Sequence, residues 1–222
     1  MRSVNRGAIP SDINGALITF TEYPEARRYL IDRLGEYCSY CERRIPTSLA
    51  VEHIRPKFHN PNLELSWDNL LLACANCNST KGSENINIAD YALPHVDNTY
   101  TFFQYDASAI VKPKHGLSDM DLDKTKNTID LVGLGEKAPT INSKEWKIAS
   151  DRRFEQRLQS YLDAHRYSSE YSIATNNIRS IMLPLLESIV LSTGFWSIWM
   201  DAFSMFPEVT TRFRSIFIGT RV

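Results

Sequence analysis

Apolar stretches long enough to cross a bilayer are missing from this chain. The candidate near its end, residues 188–200, is 13 residues without charge and is bounded by Glu187 and Asp201. A spanning helix needs roughly 20 such residues, so a buried helix is expected instead. The succession of a basic, an apolar and a small-residue region that marks a secretion signal is also missing, since Glu, Asp and Arg recur through the first 40 positions. The expectation is a cytoplasmic protein with no membrane contact. An excess of positive charge is lacking too: 25 Lys and Arg stand against 26 Asp and Glu, for a net charge of -1 and a pI near 6.5. That balance excludes a protein that grips a long polyanion by charge alone, so any nucleic-acid contact should be local or assisted by a partner. Internal repeats and low-complexity runs are absent as well. With 222 residues, 43% of them hydrophobic and 23% charged, the chain can fill one moderately large domain or a compact module with an appended helical region.

Cysteine is scarce, and its placement is the most informative feature. The four cysteines form two C-x2-C pairs, Cys38 with Cys41 and Cys74 with Cys77, with 32 residues between the pairs. Two turns that each present two thiolates can enclose a tetrahedral ion and close its coordination shell, so a structural Zn2+ is expected. A thioredoxin-like redox site needs one such pair and would leave the second unexplained.

Four regions follow along the chain. Residues 1–36 read as a helical lead-in, capped at Thr21, with Pro24 in its opening turn and Ala26, Leu30, Ile31 and Leu34 as its buried stripe. Residues 37–84 form the cysteine-bearing module, with strand character over 49–54 and 70–74 and a helix expected after Cys77. Residues 85–145 read as a connecting region: a hairpin of 100–105 with 110–111, stopped by Pro113, and a short helix over 121–132. Residues 146–222 read as helical, with a kink or restart at Pro184 and an interruption at Pro207. Phe195, Trp196, Trp199, Met200, Phe203, Met205 and Phe206 concentrate apolar area there, which fits a core, a partner-binding surface, or both. The fold class expected is α+β.

Between the cysteine pairs lies a set of residues suited to phosphodiester hydrolysis, which requires an activated water and neutralised phosphate oxygens. His53 titrates where a general base must, and Glu52 offers a hard oxygen ligand for Mg2+ or Mn2+. Adjacent residues leave a regular strand on opposite faces, so the two can converge only if the strand ends there, and Pro56 favours that exit. Asn78, directly after Cys77, can lend a second oxygen ligand. Asn69 can both donate and accept and so can clasp the loop that orients His53. Trp67 is expected to be a packing anchor, and Glu42 and Glu64 are reserve carboxylates. Arg43, Arg44, Arg55, Lys57 and Lys81 supply modest positive charge for a few phosphates.

Taken together, Cys38-Ser39-Tyr40-Cys41-Glu42, Val51-Glu52-His53-Ile54-Arg55-Pro56-Lys57, Trp67-Asp68-Asn69-Leu70 and Cys74-Ala75-Asn76-Cys77-Asn78, with Lys81-Gly82, resemble an HNH endonuclease of the zinc-containing ββα-metal class. The likeness is densest over residues 37–82 and is nearest to the PtuB-like nucleases of bacterial Septu and retron antiphage systems. The resemblance implies His53 as general base, Asn69 as the central asparagine of the motif, and Asn78 at a position where the family often has histidine. Glu52 stands where many relatives have aspartate. It further implies a PtuA-like ABC or SMC-type ATPase as partner and, in retron-linked relatives, a reverse transcriptase with its multicopy single-stranded DNA. The substrate it implies is DNA, or transfer RNA in the retron-linked members. A noncatalytic zinc module that binds nucleic acid or scaffolds a complex is the reading from a different class.

Overall fold

The computed structural model describes residues 1–135 and 151–221, so the boundary expected between residues 145 and 146 lies outside the described residues. A 3-10 turn, Tyr23–Glu25, leads into helix α1, Ala26–Leu34. Glu22 rather than Thr21 takes the cap position, while the Thr21 hydroxyl and backbone N–H both donate to the Glu25 carboxylate at 2.9 Å. The carboxylate thus satisfies donors that a threonine cap would have left to water. Ala26, Leu30 and Leu34 are buried, and their spacing of four puts them on one helix face. Ile31 is only partly buried.

Strand β1, Ala50–His53, pairs antiparallel with β2, Leu70–Ala73, placing Glu52 opposite Leu71 and His53 opposite Leu70. All four residues of β2 are buried, which is why it reads as a continuous apolar run and not an alternating one. Helix α2, Ala75–Lys81, follows at once. It begins before Cys77, not after it, because Cys74 is its cap: the Cys74 sulfur accepts the Cys77 N–H at 3.3 Å. The second cysteine pair is therefore the first turn of the helix. One core cluster lies under α1, β1 and β2, built from Leu30, Leu34, Val51, Ile54, Trp67 and Leu72 among others. Trp67 is the packing anchor expected of it, with its indole N–H donated to the Gly7 carbonyl at 2.9 Å and its ring stacked on Phe20.

The connecting region is a hairpin of β3, Phe103–Tyr105, and β4, Val111–Pro113, followed by α3, Asp119–Leu131. The strands are shorter than the apolar pattern suggested, since residues 99–101 wind into a 3-10 turn. Pro113, paired with Phe103, is the last residue of β4, so the return strand stops there as expected. In a two-stranded sheet every strand is an edge, where a missing N–H is tolerated. Ser118 caps α3 by accepting the Asp121 N–H at 3.2 Å.

Helices α4, Arg153–Ile173, α5, Asn176–Thr193, α6, Trp196–Ala202, and α7, Pro207–Ile216, complete the described chain. Pro184 neither ends nor restarts α5, which runs through it. Proline removes one hydrogen bond there, and the buried Leu186 and Val190 on the next turn keep the helix packed. Pro207 opens α7 at its first turn, where no N–H is required. Phe195, Trp196, Trp199, Met200 and Phe203 are all buried in one aromatic core with Phe213. Of the apolar group singled out near the C-terminus, Met205 is exposed. The aromatic concentration is mostly core, and an open apolar groove of about 620 Å³ lies between α4 and α5, lined by Ile173, Ile178, Met182 and Leu185 among others. No helix among the described residues is long and apolar enough to cross a membrane.

Glu42 joins the cysteine module to this helical core. It adopts a left-handed backbone, φ 64°, directly after Cys41. Its buried carboxylate accepts the Ser197 N–H and the Tyr105 hydroxyl, each at 2.8 Å, and the Met1 nitrogen lies 3.2 Å away. Its carbonyl accepts the Phe195 N–H at 3.0 Å. Gly194 passes so close that a Cβ there would collide with the same carbonyl. Glu42 is therefore a structural joint and not a reserve ligand. Replacing it with alanine strands the Ser197 N–H, the Tyr105 hydroxyl and the buried Met1 nitrogen and is expected to cost at least about 3 kcal/mol. A urea denaturation midpoint unchanged in Glu42→Ala would contradict that role.

Candidate active site

The four cysteine sulfurs are buried, and all lie within 4.8 Å of one another. The thiols are free, and Cys41 Sγ is 3.7 Å from Cys74 Sγ. A tetrahedron of Zn–S bonds near 2.3 Å has edges of about 3.8 Å, so the cluster has the size of a structural zinc site. The surroundings fit the charge of such a centre. Arg153, buried, donates from its guanidinium to Cys77 Sγ at 3.3 Å and to the Val132 carbonyl at 2.6 Å. Arg43 packs beside the second pair through Asn76 and reaches Gln156 on α4. Two guanidiniums next to four thiolates offset negative charge that an apolar pocket could not hold.

His53 stands at the last position of β1. Its Nε2 is 2.9 Å from the Glu64 carbonyl oxygen. A carbonyl can only accept, so Nε2 carries the proton, and in the neutral ring Nδ1 is left as an acceptor. Burial holds the imidazole below the ordinary histidine range, which keeps it neutral near pH 7. The ring also meets the edge of Tyr23, with centroids 4.7 Å apart. Lys57 lies over the same tyrosine ring, 4.5 Å from its centroid, and pairs with the Glu64 carboxylate at 2.7 Å. Glu64 thus serves the site twice, through its carbonyl on His53 and its carboxylate on Lys57.

Asn69 closes the loop between these parts. Its Oδ1 accepts the Arg55 N–H at 2.8 Å, and its Nδ2 donates to the carbonyls of Arg55 at 2.9 Å and Leu63 at 3.2 Å. A side chain that mimics a strand partner in this way fixes the exit from β1 without a turn motif.

Glu52 points away from His53. It is buried, and its Oε1 sits 2.9 Å from the Lys81 ammonium, itself only 2% exposed. The same ammonium donates to the His53 carbonyl at 2.8 Å. Glu52 and His53 do not meet directly, because strand alternation sends one towards Lys81 on α2 and the other towards Tyr23, so the two could serve one phosphate only from two sides. Glu52 Oε1 is held by the Lys81 ammonium alone, and the buried Tyr40 hydroxyl has no hydrogen-bond partner. An unpartnered buried hydroxyl near a carboxylate held by one ion pair leaves ligand capacity for a cation. Burial raises the Glu52 pKa, with Lys81 pulling against it. Asn78 is half-buried and lies one turn before Lys81 on the same face of α2.

The positively charged residues are not one patch. Arg55 and Lys57 are exposed beside His53. Arg44 pairs with Glu36 at 2.9 Å, and its backbone N–H reaches Thr193 on α5. Arg43 is occupied at the thiol cluster, and Lys81 is buried against Glu52. Burial and prior pairing take Arg43 and Lys81 out of a solvent-facing phosphate surface as the structure stands. Tyr23, Tyr40 and Arg153 were not singled out from the sequence. Their roles depend on contacts between distant segments, which no local pattern marks.

Residues 38–84 match the family model for HNH endonuclease, which marks this part of the chain as an HNH-type domain. Beyond it, the chain is 32% identical over 119 residues to the Septu protein PtuB of Bacillus thuringiensis, a match covering 51% of this chain and 42% of that protein. The match thus spans less than half the length of this relative.

Proposed function

We propose that this chain is a metal-dependent endonuclease that hydrolyses nucleic-acid phosphodiester bonds, DNA foremost, as the nuclease of a Septu-type antiphage complex in the cytoplasm. The observation that carries the reading is the state of His53: an imidazole at the end of β1, neutral by burial, with Nε2 committed to the Glu64 carbonyl and Nδ1 left to accept a proton. Its place inside an HNH-matching segment and the likeness to a Septu protein support the same conclusion.

In this mechanism His53 Nδ1 takes a proton from a water in line with the scissile bond. The water oxygen attacks phosphorus, the 3' oxygen leaves, and the product carries a 5' phosphate. A Mg2+ or Mn2+ ion held by Glu52 and Asn78 would supply neutralisation of the non-bridging oxygens and of the leaving oxygen. Asn69 keeps the loop closed so that His53 holds one orientation, and Arg55 and Lys57 receive flanking phosphates. The four cysteines would hold a structural Zn2+, which would keep β2 and α2 in place without entering the reaction. The near-neutral charge of the chain favours a partner that brings the substrate, and a PtuA-like ABC or SMC-type ATPase fits that need.

The test is to purify the chain alone and with a PtuA-like ATPase and offer single-stranded DNA, duplex DNA and RNA with Mg2+ or Mn2+. Expected is metal-dependent DNA cleavage leaving 5' phosphates, stronger in the complex. Cleavage of RNA alone, transfer RNA included, would replace the substrate. Binding with no cleavage of any of the three would leave a noncatalytic module. Co-purification of a reverse transcriptase with multicopy single-stranded DNA would extend the complex to a retron.

A further inference from the structure

We propose that the Lys81 ammonium is the resident counter-cation of Glu52, which a divalent ion must displace before it can bind between β1 and α2. This rests on the reading of Glu52 and Asn78 as metal ligands and adds what occupies their site beforehand.

Three features of the pocket point to it. Lys81 is among the largest fully buried side chains, yet a lysine is seldom buried without a specific partner. Its ammonium lies 2.9 Å from Glu52 Oε1 and 2.8 Å from the His53 carbonyl, so it bridges the carboxylate and the backbone of the proposed base. The pocket is not fully satisfied, since Glu52 Oε1 is held by the ammonium alone and the buried Tyr40 hydroxyl lacks a hydrogen-bond partner.

Two cations cannot share this carboxylate in a dry pocket. A divalent ion on Glu52 would face the ammonium across a few ångströms, and the like charges would repel with little screening. Lys81 must therefore turn away as the metal enters. The lysine lies at the last position of α2, before Gly82 at φ 56°, so its stem can move without unwinding the helix interior. In this arrangement metal binding is weak until phosphate oxygens add to the ligand set. The Lys81 ammonium then becomes free to meet the added negative charge. The nuclease is thereby held off metal in the absence of substrate.

The test measures Mn2+ binding by electron paramagnetic resonance on zinc-loaded protein without nucleic acid. Lys81→Met, which keeps the volume and removes the charge, is expected to bind Mn2+ at least about tenfold more tightly than wild type. Glu52→Gln serves as the ligand control. Mn2+ binding that survives Glu52→Gln unchanged would overturn the ligand reading and this proposal together. Binding that depends on Glu52 but is equal or weaker in Lys81→Met would overturn the displacement alone. A second measurement on wild type covers the case in which Lys81→Met does not fold: amine acylation read by mass spectrometry. Lys81 is expected to be protected in metal-free protein and several-fold more reactive with saturating Mn2+, by about the ratio of its unpaired to paired populations. Equal protection in both states would refute the displacement.

Discussion

Replacing His53 with alanine is expected to reduce phosphodiester cleavage by about 100- to 10,000-fold, the range a positioned general base contributes. Stability should scarcely change. The substitution removes one hydrogen bond, to the Glu64 carbonyl, and one edge contact with Tyr23. The Glu64 carbonyl can take water instead, so the cost is about 1 kcal/mol, or a melting shift of about 2–4 °C in a chain of this size. Zinc content should be unaffected, because no sulfur of the thiol cluster contacts the ring. The measurement is a single-turnover cleavage rate with Mg2+ beside a thermal melt of the same preparation. Full activity in His53→Ala would reject the proton-accepting role, and loss of activity together with collapse of the melt would leave His53 a structural residue only.

The second large effect is expected on removing the ion from the four thiolates. A structural zinc of this type contributes on the order of 10 kcal/mol to folding, which is comparable with the whole stability of an ordinary domain. Cys38→Ser, or a strong chelator, should therefore unfold the module and not merely loosen it. The damage should spread. The cysteines share one core cluster with Phe103, Val111, Ile129 and Val132, which ties the hairpin and α3 to the thiol centre. Arg153, at the start of α4, loses its contact with the cluster if Cys77 shifts, although its pair with Asp151 and its bond to the Val132 carbonyl can remain. Far-ultraviolet circular dichroism and metal analysis by mass spectrometry check this together. A Cys38→Ser protein with an unchanged melting curve would show that the thiols do not hold a metal that matters to the fold.

The parts of this molecule that could be seen in advance are those whose physics is local. Four cysteines in two pairs specify a tetrahedral cage through spacing alone. The aliphatic run Leu70–Ala73 before Cys74 specifies a buried strand. Asn69 announces a loop clasp because its amide can serve both a donor and an acceptor, and its three hydrogen bonds go where such a clasp should. What stayed hidden depends on distance along the chain. The Glu52–Lys81 pair joins a strand to the far end of a helix, and neither residue carries a mark of the other. Glu42 looks like a spare carboxylate until the N-terminal turn of α6 is laid against it. Pro184 carries a local signal for a kink or restart, yet the helix continues through it without restarting. The aromatic tail was ambiguous for a simple reason: a core and a docking surface call for the same residues, and only their burial tells them apart.

The central claim is that the thiol-pinned β1–β2–α2 frame holds His53 on one side of a scissile phosphate and a divalent ion at Glu52 and Asn78 on the other. It is tested most directly by anomalous diffraction at the manganese edge from crystals of His53→Ala bound to an uncleaved oligonucleotide. The expected result is a manganese peak in contact with Glu52, Asn78 and a phosphate oxygen, with the vacated imidazole position facing the same phosphorus. A manganese peak away from Glu52 and Asn78, or a phosphate bound on a surface remote from residue 53, would contradict it.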